Sequence, residues 1–378
     1  MEEVLTNPQC GFYINRDVFG AGGDFVTSPE VSQMFGEMIS VWTMCLWEQM
    51  GRPEKINLVE LGPGRGTLMA DLLRGSSKFT NFSKSVNIHL VECSPTLRKV
   101  QCDTLKAVVE ASYGDNNDRR ARTSLTGAPI SWHADLEEVP QGLPTIIIAH
   151  EFFDALPVHQ FQNTSGGWCE KMIDVGDNSL FRFVLSPHPT PATLLYLRRR
   201  CQWAEPEEIA KLEQIEVCPR AFELTHQISK RISDDGGGAL IIDYGKNEII
   251  TDSLQAIRKH KFVHILDNPG SADLSAYVDF AAIQHAAEEA SENISVHGPI
   301  TQSWLLGSLG INFRVEALLE NCTEEQADSL RTGHWRLVGD GEAPFWEGPE
   351  EQTPIGMGNR YLAMAIVNRK QGVPMPFV

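Results

Sequence analysis

Two groups of residues in this chain have types and spacings that could do chemistry. The first is Glu60-x-Gly62-x-Gly64-x-Gly66, inside the stretch KINLVELGPGRGTLMADLLR at 55–74. Glycines this dense carry an entropic cost, which a close approach of backbone to a ligand would justify. A dinucleotide fingerprint wants glycines at positions one, three and six of its turn. Here those positions are Gly62, Gly64 and Thr67, and the third glycine arrives one residue early, at Gly66. Glu60 separates the candidate ligands. Helix amides and the helix dipole attract a pyrophosphate, and a carboxylate at the strand end would oppose one. A ligand carrying an amino group and a sulfonium would be drawn in instead. The pattern therefore predicts S-adenosylmethionine rather than NAD, with a ligand-free glycine turn as the plain alternative.

The second group is Glu151 and Asp154 in HEFFDALP, residues 150–157. Two carboxylates three residues apart on a turn or a first helical turn can face one way. Such a pair can grip a planar cation such as guanidinium; alternatively, both simply complement a helix dipole. Glu92 stands 26 residues beyond Gly66, where an acidic side chain in a nucleoside-binding α/β fold accepts the ribose hydroxyls. Asp135 is the candidate for the adenine edge. In GGDFVTSPE, residues 22–30, a polar loop adjoins a helix start. Such a loop suits a lid or ligand contact, which makes Asp24, Phe25, Thr27, Ser28, Pro29 and Glu30 candidates; an ordinary surface loop is the alternative.

Positioning these residues takes a series of strands, turns and helices. Ile56, Leu58, Val59 and Leu61 make an apolar run of strand length, and Leu68, Met69, Leu72 and Leu73 recur on one helical face beyond the glycines. Val86 to Glu92 reads as a second strand, Pro129 to Trp132 as a third, and TIIIA at 145–149 as a buried parallel strand. Ligands of open α/β sheets sit beyond the carboxyl ends of the strands. That is where Glu92, Asp135, Glu151 and Asp154 fall, as do Asp243 and Tyr244 after ALII. Ser28 is placed to cap a helix beginning at Pro29. Residues 161–235 break the rhythm and read as an insertion over the substrate side. They predict a hairpin of Trp168–Asp174 and Leu180–Leu185 turning at Gly176-Asp177-Asn178, a helix over Thr193–Ile215, and another helix through Ile232. Phe262–Leu266 and Tyr361–Val367 read as later strands. The chain thus divides into an N-terminal helical arm with the lid (1–50), a cofactor-binding core (51–160 and 236–378) and the insertion (161–235).

At 378 residues the chain can bury a substantial core, and 42% hydrophobic with 22% charged content is ordinary for a globular protein. A formal charge of −18 argues against broad nucleic-acid binding, which needs a basic footprint. The eight cysteines are scattered without a C-x-x-C pair, and the eleven histidines show no metal-ligand spacing, so neither a zinc site nor a disulfide framework is predicted. No run of 18 apolar residues occurs, hence no membrane span is expected. Met-Glu-Glu is the wrong charge for a targeting presequence. The expectation is that a leader has been removed or that the chain is a shortened form.

With these residues laid out, the chain resembles the MidA-type class I methyltransferases, whose mitochondrial members assist assembly of respiratory complex I. The matching segments are GGDFVTSPEVSQMFGE, LVELGPGRGTLMADLLR, HLVECSP, AHEFFDALPVHQF, EVCP, GGALIIDYG, ADLSAYVDF, GPITQSWLLGSLGI and, less closely, MGNRYLAMAI, in one order over nearly the whole chain. The resemblance implies a Rossmann-like class I methyltransferase fold. This is an α/β architecture with a mostly parallel seven-stranded sheet, helices on both faces, an α+β insertion and an N-terminal helical arm. It further implies S-adenosylmethionine-dependent dimethylation of arginine, in the mitochondrial matrix, on a complex I core subunit of about 49 kDa, and it admits a homodimer. Glu60, Gly62, Gly64, Gly66 and Glu92 would then hold the cofactor, and Glu151 and Asp154 would face the substrate. Family members begin further upstream, and the loop GDGEAPFWEGPEEQTPIG is longer than the family's join. Two other classes compete: a cofactor-binding assembly chaperone with little catalysis, and an NAD-dependent oxidoreductase, which the glycine spacing disfavours.

Overall fold

The computed structural model describes residues 1–14, 27–109, 121–177 and 179–378. Asp24 and Phe25 of the expected lid, and Asn178 of the expected turn, lie outside the described residues. The centre is a sheet built on seven strands: β1 (Ile56–Leu61), β2 (Val86–Val91), β3 (Pro129–His133), β4 (Thr145–His150), β5 (Gly237–Lys246), β6 (Ile294–Thr301) and β7 (Tyr361–Asn368). Their order across the sheet is β6-β7-β5-β4-β1-β2-β3. Strands β1 to β5 pair in parallel, while β7 runs antiparallel to both β5 and β6. A sheet of seven main strands matches the expected number, but Ile294–Thr301, not read as a strand from the sequence, takes the place of Phe262–Leu266. Among the described residues three short strands join the sheet: Ala107–Val109 and Ala121–Thr123 beyond β3, and Val278–Asp279 beside β5.

The period of two decides which face each strand residue covers. Leu58, Ile146, Ile148, Leu240 and Ile242 point to one side, against the helices α1 (Gln33–Gln49) and α2 (Thr67–Ser76). Val59, Leu61, Ile147, Ala149, Ala239 and Ile241 point to the other. There they meet Leu224, Ile228 and Ile232 of Pro219–Asp235 and Phe280, Ile283 and Ala287 of Phe280–Ala290. Central strands that are apolar on both sides follow from this double cover. Burying each β4 isoleucine contributes ~2 kcal/mol relative to exposure, which fixes the end of that strand where the candidate acids Glu151 and Asp154 begin.

A four-stranded antiparallel sheet follows β4, in the order Gln214–Val217, His159–Thr164, Gly167–Val175 and Phe181–Leu185. The expected hairpin is its outer half. The expected single helix over Thr193–Ile215 is not formed. Helical turns at Thr193–Leu197, Arg198–Cys201 and Pro206–Ile209 are separated before Pro206, and the stretch closes as the strand Gln214–Val217. The residue before a proline disfavours helical backbone, and Ile215 and Val217 are buried beside Phe161. Phe262–Leu266 is likewise shorter than expected: only Lys261–Val263 pairs, as the outer strand of a three-stranded sheet with Gln255–Arg258 and Asp273–Ser275. The N-terminal helix Glu2–Thr6 packs there, with Leu5 and Phe12 buried against Ala256, Ala272 and Leu274.

Candidate active site

A cleft of about 770 Å³ opens at the carboxyl ends of β1, β2, β4 and β5, the place where open α/β sheets bind ligands. Its floor is the turn from β1 into α2. Gly62, Gly64 and Gly66 have φ of 60°, 52° and 80°, a region that L side chains enter at a cost. A Cβ at Gly62 would lie 2.6 Å from the Phe152 ring. The turn is pinned from three directions. Gly62 N–H donates to the Val91 carbonyl at 3.0 Å, Gly66 N–H to Pro63 at 2.7 Å, and Gln101 Nε2 to the Gly64 carbonyl at 2.7 Å.

Glu60, next to last in β1, is buried, and its Oε2 has no hydrogen-bond partner among the described residues. Burial, then the charge of Glu92, pushes its carboxyl up to about 8. Glu92 follows β2 directly. Its Oε1 accepts from the Ser94 amide at 2.8 Å and its Oε2 from Gln101 Nε2 at 3.1 Å. Burial pushes it up to about 7 against those hydrogen bonds and the nearby Arg98. Gln101 was not legible as a site residue in the sequence. It is fully buried in Pro95–Thr104, its Oε1 accepts from Trp132 Nε1 at 2.9 Å, and its amide joins the glycine turn to Glu92. Asp135 also lines the cleft, but its oxygens are engaged: Oδ1 by the Glu137 amide at 3.1 Å and Oδ2 by Arg220 at 2.9 Å.

Glu151 and Asp154 come together on the turn that leaves β4. Glu151 sits at φ 48°, its amide donating to the Ile242 carbonyl at 3.0 Å. Its Oε1 accepts from the Ser28 amide at 3.3 Å, and the Tyr361 phenol also bonds to its side chain. Burial, then the Asp154 charge, pushes Glu151 up to about 8. His150 Nε2 lies 3.3 Å from Glu151 Oε1 without the alignment of a hydrogen bond, and burial pulls the imidazole down to about 3, so the contact is not an ion pair. Asp154 is buried. Its Oδ2 accepts from the Tyr244 hydroxyl, its Oδ1 has no partner among the described residues, and burial pushes it up to about 6.

Asp243 shapes this turn from behind. It is fully buried, and its Oδ2 accepts from three successive amides: Phe152 at 3.1 Å, Phe153 at 3.0 Å and Asp154 at 3.3 Å. Its Oδ1 accepts from the Tyr244 amide at 2.9 Å. Burial and the charges of Asp154 and Glu151 push it well above the carboxylate range, opposed by the amides it holds. Tyr244 packs edge-on against Tyr277 and Tyr361, with centroids 5.8 and 5.5 Å away. Tyr13, from the N-terminal segment, donates to Asp273 Oδ1 at 2.6 Å, and both line the same end of the cleft.

The TSPE segment docks over the glycine turn. Thr27, Pro29 and Glu30 line the cleft. Glu30 Oε1 accepts from Thr67 Oγ1 at 2.6 Å, and its Oε2 lies 3.7 Å from Arg65. The expected cap is displaced by one residue. Thr27 is the N-cap of the short helix Ser28–Val31 and makes no side-chain cap bond, while the Ser28 hydroxyl donates to Met357 Sδ at 3.4 Å. Ser28 and Gly66 do not themselves line the cleft: Ser28 acts through Glu151, and Gly66 is the left-handed N-cap of α2.

Fold and cleft are those of an α/β protein that binds a nucleoside-containing ligand at the carboxyl ends of its strands. The S-adenosyl-L-methionine-dependent methyltransferase family model matches residues 38–300, and the chain belongs to that family. The mitochondrial protein arginine methyltransferase NDUFAF7 of Danio rerio is 40% identical over 373 residues, covering 97% of this chain and 82% of that protein. The protein of the same name from Homo sapiens is 40% identical over 382 residues, covering 98% of this chain and 80% of its own length. A COG1565 superfamily protein of Burkholderia thailandensis, crystallised with S-adenosyl-homocysteine, superposes with a TM-score of 0.71 at 22% identity. It covers 98% of this chain and 87% of its own, a likeness of fold. This chain is an S-adenosylmethionine-dependent methyltransferase. Its cleft fits that cofactor by its own chemistry: left-handed glycines let backbone approach, and a buried carboxylate oxygen at Glu60 stands without a partner among the described residues.

Proposed function

We propose that the protein transfers methyl groups to arginine, dimethylating it, on a core subunit of mitochondrial complex I of about 49 kDa in the matrix. The observation that supports a cationic acceptor is the buried pair Glu151 and Asp154, with Asp154 Oδ1 unpartnered among the described residues at the end of a cleft ringed by tyrosines; the complex I subunit and the matrix rest on the family resemblance. Relatives named mitochondrial protein arginine methyltransferase, about 40% identical over nearly the whole chain, support it.

In this reading Glu60 meets the cofactor's amino group, Glu92 its ribose, and Asp135 lies towards the adenine end. Gly62, Gly64 and Gly66 give the backbone its approach, and the Thr27–Glu30 segment covers it. S-adenosylmethionine supplies an electrophilic methyl whose bond to sulfur breaks, leaving a thioether, as the acceptor nitrogen bonds to the carbon. Arginine is a hard acceptor because its guanidinium stays protonated, with a pKa above ~12. Glu151 and Asp154 draw the positive charge towards one side of the guanidinium and leave the other nitrogen able to attack. That nitrogen loses one proton as it gains carbon, so the group keeps a single charge. In this reading that proton passes to solvent, since the acid pair holds the other side of the guanidinium.

The test is turnover and cofactor affinity of Glu151→Gln and Asp154→Asn. Each should lower the methylation rate ~100-fold or more while S-adenosylmethionine binding, followed by calorimetry, changes little. Full turnover in either variant would remove that residue from the mechanism. A second reading, a chaperone that binds the cofactor, draws on the apolar hairpin side chains Ile173, Val175 and Phe181, which are exposed. It would be favoured if both inactive variants still restored complex I assembly in cells lacking the protein.

A further inference from the structure

The end of the cleft beyond Asp154 is rimmed by two aromatic side chains that are open to solvent. Phe262 is 76% exposed and Tyr277 41% exposed, yet both line the cleft. Neither position is loose. Phe262 sits in Lys261–Val263, directly after a two-residue hairpin turn in which Lys259 and His260 are both left-handed, at φ of 50° and 61°. That turn type fixes the register of the strand that follows, and so where the ring is presented. Tyr277 follows Asp273–Ser275, its amide donates to Ser253 Oγ at 2.8 Å, and its ring packs edge-on against Tyr244. The Tyr244 hydroxyl in turn holds Asp154. A line of contacts therefore leads from Tyr277 through Tyr244 to Asp154, and Phe262 lines the same cleft.

We infer that Phe262 and Tyr277 dock apolar residues on either side of the target arginine. The protein substrate is then an extended segment in which a single arginine stands among apolar neighbours. This rests on the reading that arginine is the acceptor. The charges fit it: the buried acids Glu151 and Asp154 attract one guanidinium. Meanwhile Lys261, adjacent to Phe262 in the same strand, puts positive charge near it and disfavours a second cation close to the first, while Arg258 is paired with Asp267 at 3.0 Å. Segments with clustered arginines are poor substrates on this account, although the chain as a whole is strongly acidic.

The test compares two synthetic peptides, one with its arginine between pairs of leucines and one with it between pairs of glycines, using the full chain and Phe262→Ser. Covering one exposed phenylalanine ring is worth roughly a factor of ten in affinity. The leucine-flanked peptide should show a KM about tenfold lower with the wild type. Phe262→Ser should remove that advantage, with the loss confined to KM, and Phe262→Leu should retain most of it. Phe262 is exposed enough for these variants to fold, and calorimetric binding of S-adenosylmethionine checks that they do. Equal KM values for the two peptides, or a leucine advantage that survives Phe262→Ser, would overturn the inference and leave the arginine reading standing. Methylation of neither peptide by the wild type would overturn both.

Discussion

Replacing Glu60 with glutamine separates a binding carboxylate from a merely buried one. Its Oε2 lacks a partner among the described residues, and burial with the Glu92 charge holds its proton on up to about 8. A cationic amino group favours the ionised form, so cofactor binding below pH 8 must expel a proton and affinity must rise with pH. A group with its pKa at 8 is about 1% ionised at pH 6 and half ionised at pH 8, which makes binding ~50-fold tighter at pH 8, or ~2.3 kcal/mol. Glu60→Gln keeps the shape and cannot ionise, so the part of this slope due to Glu60 should vanish. At pH 8 the variant should bind ~10-fold to ~150-fold more weakly, the worth of a charge-assisted hydrogen bond; at pH 6 it should differ far less from wild type. Calorimetry at pH 6, 7 and 8, in buffers of different ionisation heat, measures affinity and counts protons released. Glu92, pushed up to about 7, leaves a smaller residual slope centred lower. A wild-type affinity flat between pH 6 and 8, or a variant with the wild-type slope, would refute the reasoning.

Two further substitutions test how the site is built. Asp243→Asn must turn an NH2 towards either the three-amide turn or the Tyr244 amide. It should cost ~1–3 kcal/mol in denaturant unfolding and lower turnover with cofactor affinity nearly unchanged; unaltered stability would show that the turn does not depend on that carboxylate. Gly62→Val places a branched side chain at φ 60°, its Cβ 2.6 Å from Phe152. It should abolish S-adenosylmethionine binding in calorimetry while circular dichroism shows a folded protein, and retained binding would contradict the close approach of backbone at this turn.

The parts of the site legible in the sequence are those made by local patterns. A strand, three glycines and a helix announce the turn at 62–66, and the apolar run of β4 places Glu151 and Asp154 at a carboxyl end. What stayed hidden acts across the chain. Gln101 reaches from its helix to Gly64, Glu92 and Trp132, and nothing in its neighbours marks it. Tyr13 and Tyr361 come from the two ends of the chain and meet the central acids only after folding. The helix expected over Thr193–Ile215 failed for a different reason. Its leucines and arginines favour helix, but Pro206 interrupts it, and Ile215 and Val217 gain more by pairing with His159–Thr164 and packing beside Phe161.

The acids also bear on the stability of the cleft without its ligands and on the charge of what it would bind. Glu60, Glu92, Glu151 and Asp154 are all held above the ordinary carboxylate range by burial, so the folded chain binds protons that the unfolded chain would release. A carboxyl raised on folding contributes stability below its unfolded value, near 4.5 for glutamate, and that contribution is lost as pH rises through the folded value. Between pH 6 and 8 the cleft therefore either carries protons or accumulates uncompensated negative charge. Under the proposed function, a sulfonium with its amino group at Glu60, and a guanidinium at Glu151 and Asp154, would each relieve that charge. A neutral acceptor would relieve none of it. Under the proposed function, burying the acid pair would favour a cationic acceptor, and the same burial would make the binding of each cation compete with protons already in the site.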